Sequence, residues 1–186
     1  MNNKTSCVLI CDARERHVLR HEKEFEGISL EIKQITTGDY VVLTPTGNIL
    51  AIIERKSLDD FAASLKDGRH ENKQKLNALR KQTGCRIIYI IEGPAFPGPN
   101  DCFGNIPFHN IESSIFHLMV RDGVTIMRTR DSLDTAGALA RFMRSMDTLM
   151  LKLDNDIGDN GKILETELLP IEILAGNENQ PTPRDD

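Results

Sequence analysis

The run Ile49-Leu50-Ala51-Ile52-Ile53, followed at once by Glu54-Arg55-Lys56, constrains this chain more than any other segment. The apolar run reads as a buried strand. Tyr40 to Leu43 reads as its partner, and Thr44-Pro45-Thr46-Gly47-Asn48 between them has the composition of a turn. Charge therefore sits where a core ends: Asp39 ahead of the hairpin, Glu54, Lys56 and Asp60 behind it. Strand residues two apart share a face, so Glu54 and Lys56 project together and Arg55 points the other way. A carboxylate and an ammonium at the end of a buried strand cost desolvation free energy unless they find partners. A hard cation is such a partner. Carboxylates hold it and the lysine orients or activates water, which is what a metal-dependent phosphodiesterase needs.

The remaining pattern alternates strands with helices. Thr5 to Asp12 and Arg86 to Glu92 are apolar enough for buried strands, Ser29 to Ile35 alternates like a half-exposed one, and Val124 to Arg128 adds another. Arg14 to Phe25 has helical or loop character. Ser57 reads as a helix N-cap with Asp59 and Asp60 in the first turn. That helix is expected to reach Leu65, break at Gly68 and resume from Arg69 to Gln82, with Gly84 as its C-cap. Gly93 to Pro107 holds four prolines and three glycines and reads as a loop. Phe108 to Arg121 and Ser132 to Leu153 are the last two helices. Buried strands alternating with helices predict an α/β layer fold around a mixed sheet.

Five ordered pieces of this chain resemble the nuclease domain of the XPF-type structure-specific endonucleases. They are Cys11-Asp12-Ala13-Arg14-Glu15, Gly38-Asp39-Tyr40, Glu54-Arg55-Lys56-Ser57-Leu58-Asp59-Asp60, Ser64-Leu65-Lys66-Asp67-Gly68-Arg69 and Tyr89-Ile90-Ile91-Glu92-Gly93. The resemblance covers roughly residues 5 to 150. It implies a restriction-endonuclease-like core flanked by helices, with the site at one edge of the sheet, Mg²⁺ or Mn²⁺ as cofactor, and branched or flapped DNA as substrate. The implied domain spans residues 1–154. It also implies a homodimer or heterodimer through the C-terminal helices. Non-catalytic DNA-binding or scaffold subunits exist in such a family, and their acidic and lysine positions are usually eroded; Asp39, Glu54, Lys56 and Asp60 are all present in this sequence.

Each candidate has a plainer alternative. Asp39 after a glycine is either a turn aspartate or a metal ligand with Glu54. Lys56 is the exposed end of a strand or the catalytic lysine. Asp60 is explained by the helix dipole alone, and the match with the E-R-K-x-x-x-D pattern adds a site role. Asp12 either ligates metal or bonds to Arg14; Arg14 either binds the scissile phosphate or lies in solvent. Arg55 supports the site, paired with an acid such as Asp60. Arg69, following Gly68, is placed to reach a phosphate. The segment after it departs by about one residue from the family pattern, which leaves open which of Lys73, Gln74 and Lys75 faces the site. Glu92 ends its strand at the cleft without being a ligand.

Charge fits this reading once it is divided. The net charge is −5, but Asn155 to Asp186 carry −6, and subtracting that leaves +1 for the rest. A basic run from Lys66 to Arg86 serves phosphate contacts. The segment 155–186 is acidic and rich in Asn and Gly, and reads as a flexible tail, with Leu168 to Leu174 as an apolar island that docks on the core or on a partner. It is too short for a tandem helix-hairpin-helix domain. No apolar stretch approaches the ~20 residues a membrane span needs, and no secretory signal is visible, so a cytoplasmic protein, or a nuclear one in a eukaryote, is expected. Four cysteines without C-x-x-C spacing or a histidine cluster predict reduced thiols, not zinc ligands. The helices 108–121 and 132–153 hold more apolar residues than one buried face requires, which suggests an interface, with core packing alone as the alternative.

Overall fold

The computed structural model describes residues 4–66 and 71–156. The expected tail, with its apolar island, lies outside the described residues apart from its first two positions, and so does Arg69. The chain runs β1 (Val8–Asp12), α1 (Arg16–Leu19), a 3-10 turn (Glu22–Phe25), β2 (Ser29–Lys33), β3 (Tyr40–Leu43), β4 (Ile49–Ser57), α2 (Leu58–Lys66), α3 (Glu71–Thr83) and β5 (Arg86–Glu92). It continues with β6 (Cys102–Phe103), β7 (Ile106–Pro107), α4 (Phe108–Val120), β8 (Thr125–Thr129) and α5 (Ser132–Asp156). Six strands form one mixed sheet in the order β2-β1-β3-β4-β5-β8. β3 runs antiparallel to β1 and β4, while β4, β5 and β8 are mutually parallel neighbours. The α/β expectation is met.

Alternation along the strands builds two separate cores. Ile10, Val41, Ile52, Tyr89 and Ile91 face α2, α3 and α4 through Phe61, Leu76 and Ile111. Leu9, Cys11, Tyr40, Ile53 and Ile90 face the other way, against Val18 of α1 and Ala136, Leu139 and Met143 of α5. Ile52, Ile53, Ile90 and Ile91 are fully buried. Each such side chain contributes about 1.5–3 kcal/mol by leaving water, so the centre of the sheet anchors whatever its strand ends carry.

Local expectations hold with two differences. Gly84 closes α3, its N–H donating to the Arg80 carbonyl (2.9 Å) with φ of 69°. β4 outruns its expected end at Glu54 because β5 pairs with it in parallel as far as Ser57, opposite Glu92. The loop 93–107 contains a small hairpin, β6 paired with β7, closed by Gly104 and Asn105 with φ of 53° and 62°. Positive φ at both central residues is the demand of a two-residue hairpin turn; strands this short leave no periodicity to read. Cys7, Cys11, Cys85 and Cys102 are free thiols. Among the described residues no helix is long and apolar enough to cross a membrane.

Candidate active site

β4 emerges from the core at Ile53, and its next three residues are sorted by alternation. Glu54, 8% exposed, and Lys56 lie on the α2–α4 face, beside Tyr89 and Ile91 of β5. Arg55 lies on the α5 face. The strand is interior to the sheet, so the site edge is the row of strand ends, not a lateral edge strand.

Asp39 is held from both sides by backbone. Its N–H donates to the Ile53 carbonyl (2.9 Å), and its own carbonyl accepts from the Asp12 N–H (2.8 Å). Its carboxylate Oδ2 accepts the Arg55 N–H at 2.7 Å. Gly38 makes this approach feasible. It has φ of +78°, and a Cβ there would sit 2.5 Å from the Ile52 methyl Cγ2. The glycine of G-D-Y thus lets the chain press against β4 and deliver the Asp39 carboxylate beside Glu54.

The electrostatic result is a carboxyl pushed up to about 7 at Asp39. Burial is the main cause and the Glu54 charge the second, opposed by the Arg55 amide. Two hard oxygen donors crowded in a buried position fit a divalent cation that keeps waters of its own and takes one or two carboxylates from the protein. Among the described residues no group of three or more His, Cys, Asp or Glu is gathered for metal binding. Lys56 on the same face makes no ion pair among the described residues.

The opposite face of β4 is saturated. Arg55 Nε and Nη2 donate to the two Glu92 oxygens at 2.9 and 2.8 Å, a bidentate pair. Arg55 Nη1 lies 3.5 Å from Glu15, which also accepts the Tyr40 hydroxyl at 2.6 Å. Burial first, and the Glu15 charge second, push the Tyr40 phenol above its usual range, so it stays the donor. The Thr135 hydroxyl of α5 donates to Glu92 (2.9 Å) and meets Thr129 of β8 at 2.8 Å. The network ties β3, β4, β5, β8 and α5 together directly beneath the candidate site.

One expectation is corrected. Arg55 does not pair with Asp60. Alternation sends it to the far face, and Asp60 N–H instead donates to the Ser57 hydroxyl (3.0 Å), which donates back to the Asp60 carboxylate (2.7 Å). That reciprocal cap opens α2. Of the alternatives for Asp12 and Arg14, the hydrogen-bonded one is formed. Asp12 Oδ1 accepts the Arg14 amide and Nε at 2.8 and 2.7 Å, and Oδ2 accepts Arg14 Nη2 and the Ile35 amide, both at 3.0 Å. Burial alone would raise the Asp12 carboxyl; the Arg14 guanidinium and the two amides outweigh it and hold the group below its ordinary range. Lys73 belongs to α3, and Gln74 on the same helix is exposed. Glu15 and Tyr40 were missed as functional positions although both lie inside quoted motifs; the only signal for them was membership of those motifs. Thr135 carried no sequence signal at all.

A mixed sheet presenting a glutamate and a lysine from one central strand, beside an aspartate ahead of the neighbouring strand, defines the architecture; the family follows from comparison with known proteins. Residues 11–142 match the family model described as ERCC4 domain, and the chain belongs to that family. The ERCC4 domain-containing protein EP364R of African swine fever virus (isolate Pig/Kenya/KEN-50/1950) is 38% identical over 154 residues, covering 77% of this chain and 42% of the relative. Crossover junction endonuclease mus81 of Emericella nidulans is 31% identical over 158 residues, 72% of this chain and 23% of the relative. XPF from Aeropyrum pernix has the same fold, with TM-score 0.56 and 23% identity over 80% of this chain and 69% of that one. XPF from Aeropyrum pernix in complex with DNA gives 0.53 and 25%, over 78% and 66%. The chain spans about two-fifths of the length of the viral relatives it matches.

Proposed function

We propose that this chain is a metal-dependent endonuclease that hydrolyses phosphodiester bonds in branched or flapped DNA. The observation that carries the reading is the Asp39–Glu54 pair, where burial first and the Glu54 charge second push Asp39 up to about 7, with Lys56 on the same face of the sheet as Glu54. In this reading Asp39 and Glu54 hold Mg²⁺ or Mn²⁺. The ion, when bound, supplies Lewis-acid polarisation of the scissile phosphate and lowers the pKa of a coordinated water. Lys56 orients the attacking water and offsets charge gathering on the phosphoryl oxygens. Asp12 and Arg14 act as a pair that fixes the end of β1 against Asp39, and Asp12 is not a ligand. Asp60 supports the site by capping α2. Arg55 holds β4 in register through Glu92. Arg69, Lys73 and Gln74 contact the DNA backbone.

The names of known relatives support this reading: crossover junction endonuclease mus81 for a relative, and a complex with DNA for a structural neighbour. Another relative, from Danio rerio, is named structure-specific endonuclease subunit MUS81, in keeping with pairing through the C-terminal helices. Phe116, Met119 and Val120 of α4 and Leu133 and Leu149 of α5 are exposed and would line that contact with a second copy or a related chain.

A second reading, a DNA-binding subunit without catalysis, draws on the finding that no group of three or more His, Cys, Asp or Glu is gathered for a metal among the described residues. Labelled flap, fork, Holliday-junction, linear duplex and single-stranded DNA, incubated with Mg²⁺, Mn²⁺ or EDTA, separate the two. Metal-dependent cutting of branched DNA that Glu54→Ala and Lys56→Ala both abolish is the expected result. Junction binding without cutting, unchanged by either substitution, would establish the second reading.

A further inference from the structure

The loop after β5 carries a side chain that nothing in the fold uses. Phe96 is 96% exposed, in the uncharged stretch Pro94-Ala95-Phe96-Pro97-Gly98-Pro99. Burying such a ring is favourable, and a free chain would collapse to gain it. Three prolines fix φ at three of the six positions and oppose that collapse.

The rest of the loop is pinned at both ends. The Gly93 N–H donates to the Thr129 carbonyl (2.9 Å), and Arg128 donates to the Pro94 carbonyl (3.0 Å). Asp101 accepts the Gly98 N–H (2.7 Å), and the His109 N–H donates to the Pro99 carbonyl (3.0 Å). The β6–β7 hairpin is stapled to α2, with Lys66 donating to the Gly104 carbonyl (2.7 Å) and the Gly104 N–H donating to Asp59 (3.0 Å). The aromatic ring is held out in solvent by a braced platform.

Its position relates it to the site. Phe96 follows Glu92 by four residues, a reach of at most ~14 Å, and Glu92 lies opposite Ser57, one residue beyond Lys56. The base of the loop is flanked by Arg128 and by exposed Arg130, the latter 3.5 Å from Asp134. Cations beside a projecting ring suit a polyanion with flat apolar units. The apolar stripe Phe116–Val120 lies eight or more residues along α4 from its start at Phe108, ~12 Å further on, so Phe96 is not its continuation.

We propose that Phe96 stacks on an unpaired nucleobase at the branch point of DNA held in the candidate site, and so contributes to recognition of branched over linear DNA. The inference rests on the nuclease reading above. The test uses the full chain in Ca²⁺ with a synthetic flap carrying 2-aminopurine at the branch, beside linear duplex of equal length. Wild type should change the 2-aminopurine fluorescence. Phe96→Ala should lose that change and bind the flap about 5- to 100-fold more weakly, with duplex binding unaltered, while Phe96→Trp retains both. Because Phe96 is 96% exposed, loss of folding does not confound the variant. Wild-type affinity and fluorescence in Phe96→Ala would overturn the inference alone. A change of oligomeric state in Phe96→Ala with DNA binding intact would also overturn it, in favour of a protein contact. Absence of any DNA binding by wild type would overturn the nuclease reading and this inference with it.

Discussion

The two faces of β4 are one residue apart in sequence and opposite in electrostatic design. On the α5 face every charge is matched: Arg55 sits between Glu92 and Glu15, and Thr135 and Tyr40 complete the hydrogen bonding. On the α2–α4 face burial first and the Glu54 charge second push Asp39 up to about 7, and Lys56 pairs with no described acid. Satisfied charge rigidifies; crowded carboxylates disfavour their doubly charged state and would suit the proposed cation. The saturated face braces the strand so that the other can hold its repulsion without relaxing.

That contrast breaks most visibly at Lys56. Lys56→Ala and Glu54→Gln should each lower cleavage of flap DNA by about 10³-fold or more, as loss of a group that acts in the transition state does. The melting temperature of Lys56→Ala should stay within about 2 °C of wild type. Arg55→Ala should do the reverse. It leaves the half-buried Glu92 and Glu15 without a cation, at a cost of up to about 3–5 kcal/mol, read as a loss of denaturant stability. A double-mutant cycle of Arg55→Ala with Glu92→Ala should then show strong coupling.

Acidity sharpens the comparison further. Asp39 titrates near 7 when folded against its ordinary 3.8, so the folded state holds an extra proton between those values. The associated stability is complete below pH about 4 and is lost as pH rises through 7, a fall of up to about 4 kcal/mol for the metal-free protein. Divalent cation should offset that loss, and Asp39→Asn should flatten the dependence, both followed by thermal melting across pH 4 to 8. The smallest effect belongs to Tyr40→Phe, which removes one hydrogen bond to Glu15 and should cost about 1–2 kcal/mol by chemical denaturation.

Much of this was legible in the chain, for reasons that are local. Alternation along Ile49 to Lys56 sorts Glu54 and Lys56 from Arg55 without any tertiary information, and Ser57 and Gly84 announce a cap and a stop through their own chemistry. The partner of Arg55 was not legible. Glu92 and Glu15 lie 37 and 40 residues away, and their meeting depends on parallel pairing of β4 with β5 and on where β1 ends. Asp60, close by in sequence, was the wrong acid, because a helix start turned it toward Ser57. Thr135 was invisible since nothing in a long amphipathic helix distinguishes one inward threonine. Gly38 was readable as a turn residue, but its near-contact with Ile52 follows only from the packed sheet.

The most direct test is a ¹³C NMR titration of the Asp39 carboxyl in the full chain, without metal and with Mg²⁺. A midpoint near 7 that Mg²⁺ lowers by about two units or more is the result expected if the Asp39–Glu54 face is a cation site. A midpoint near the ordinary 3.8 that Mg²⁺ leaves unmoved would contradict it.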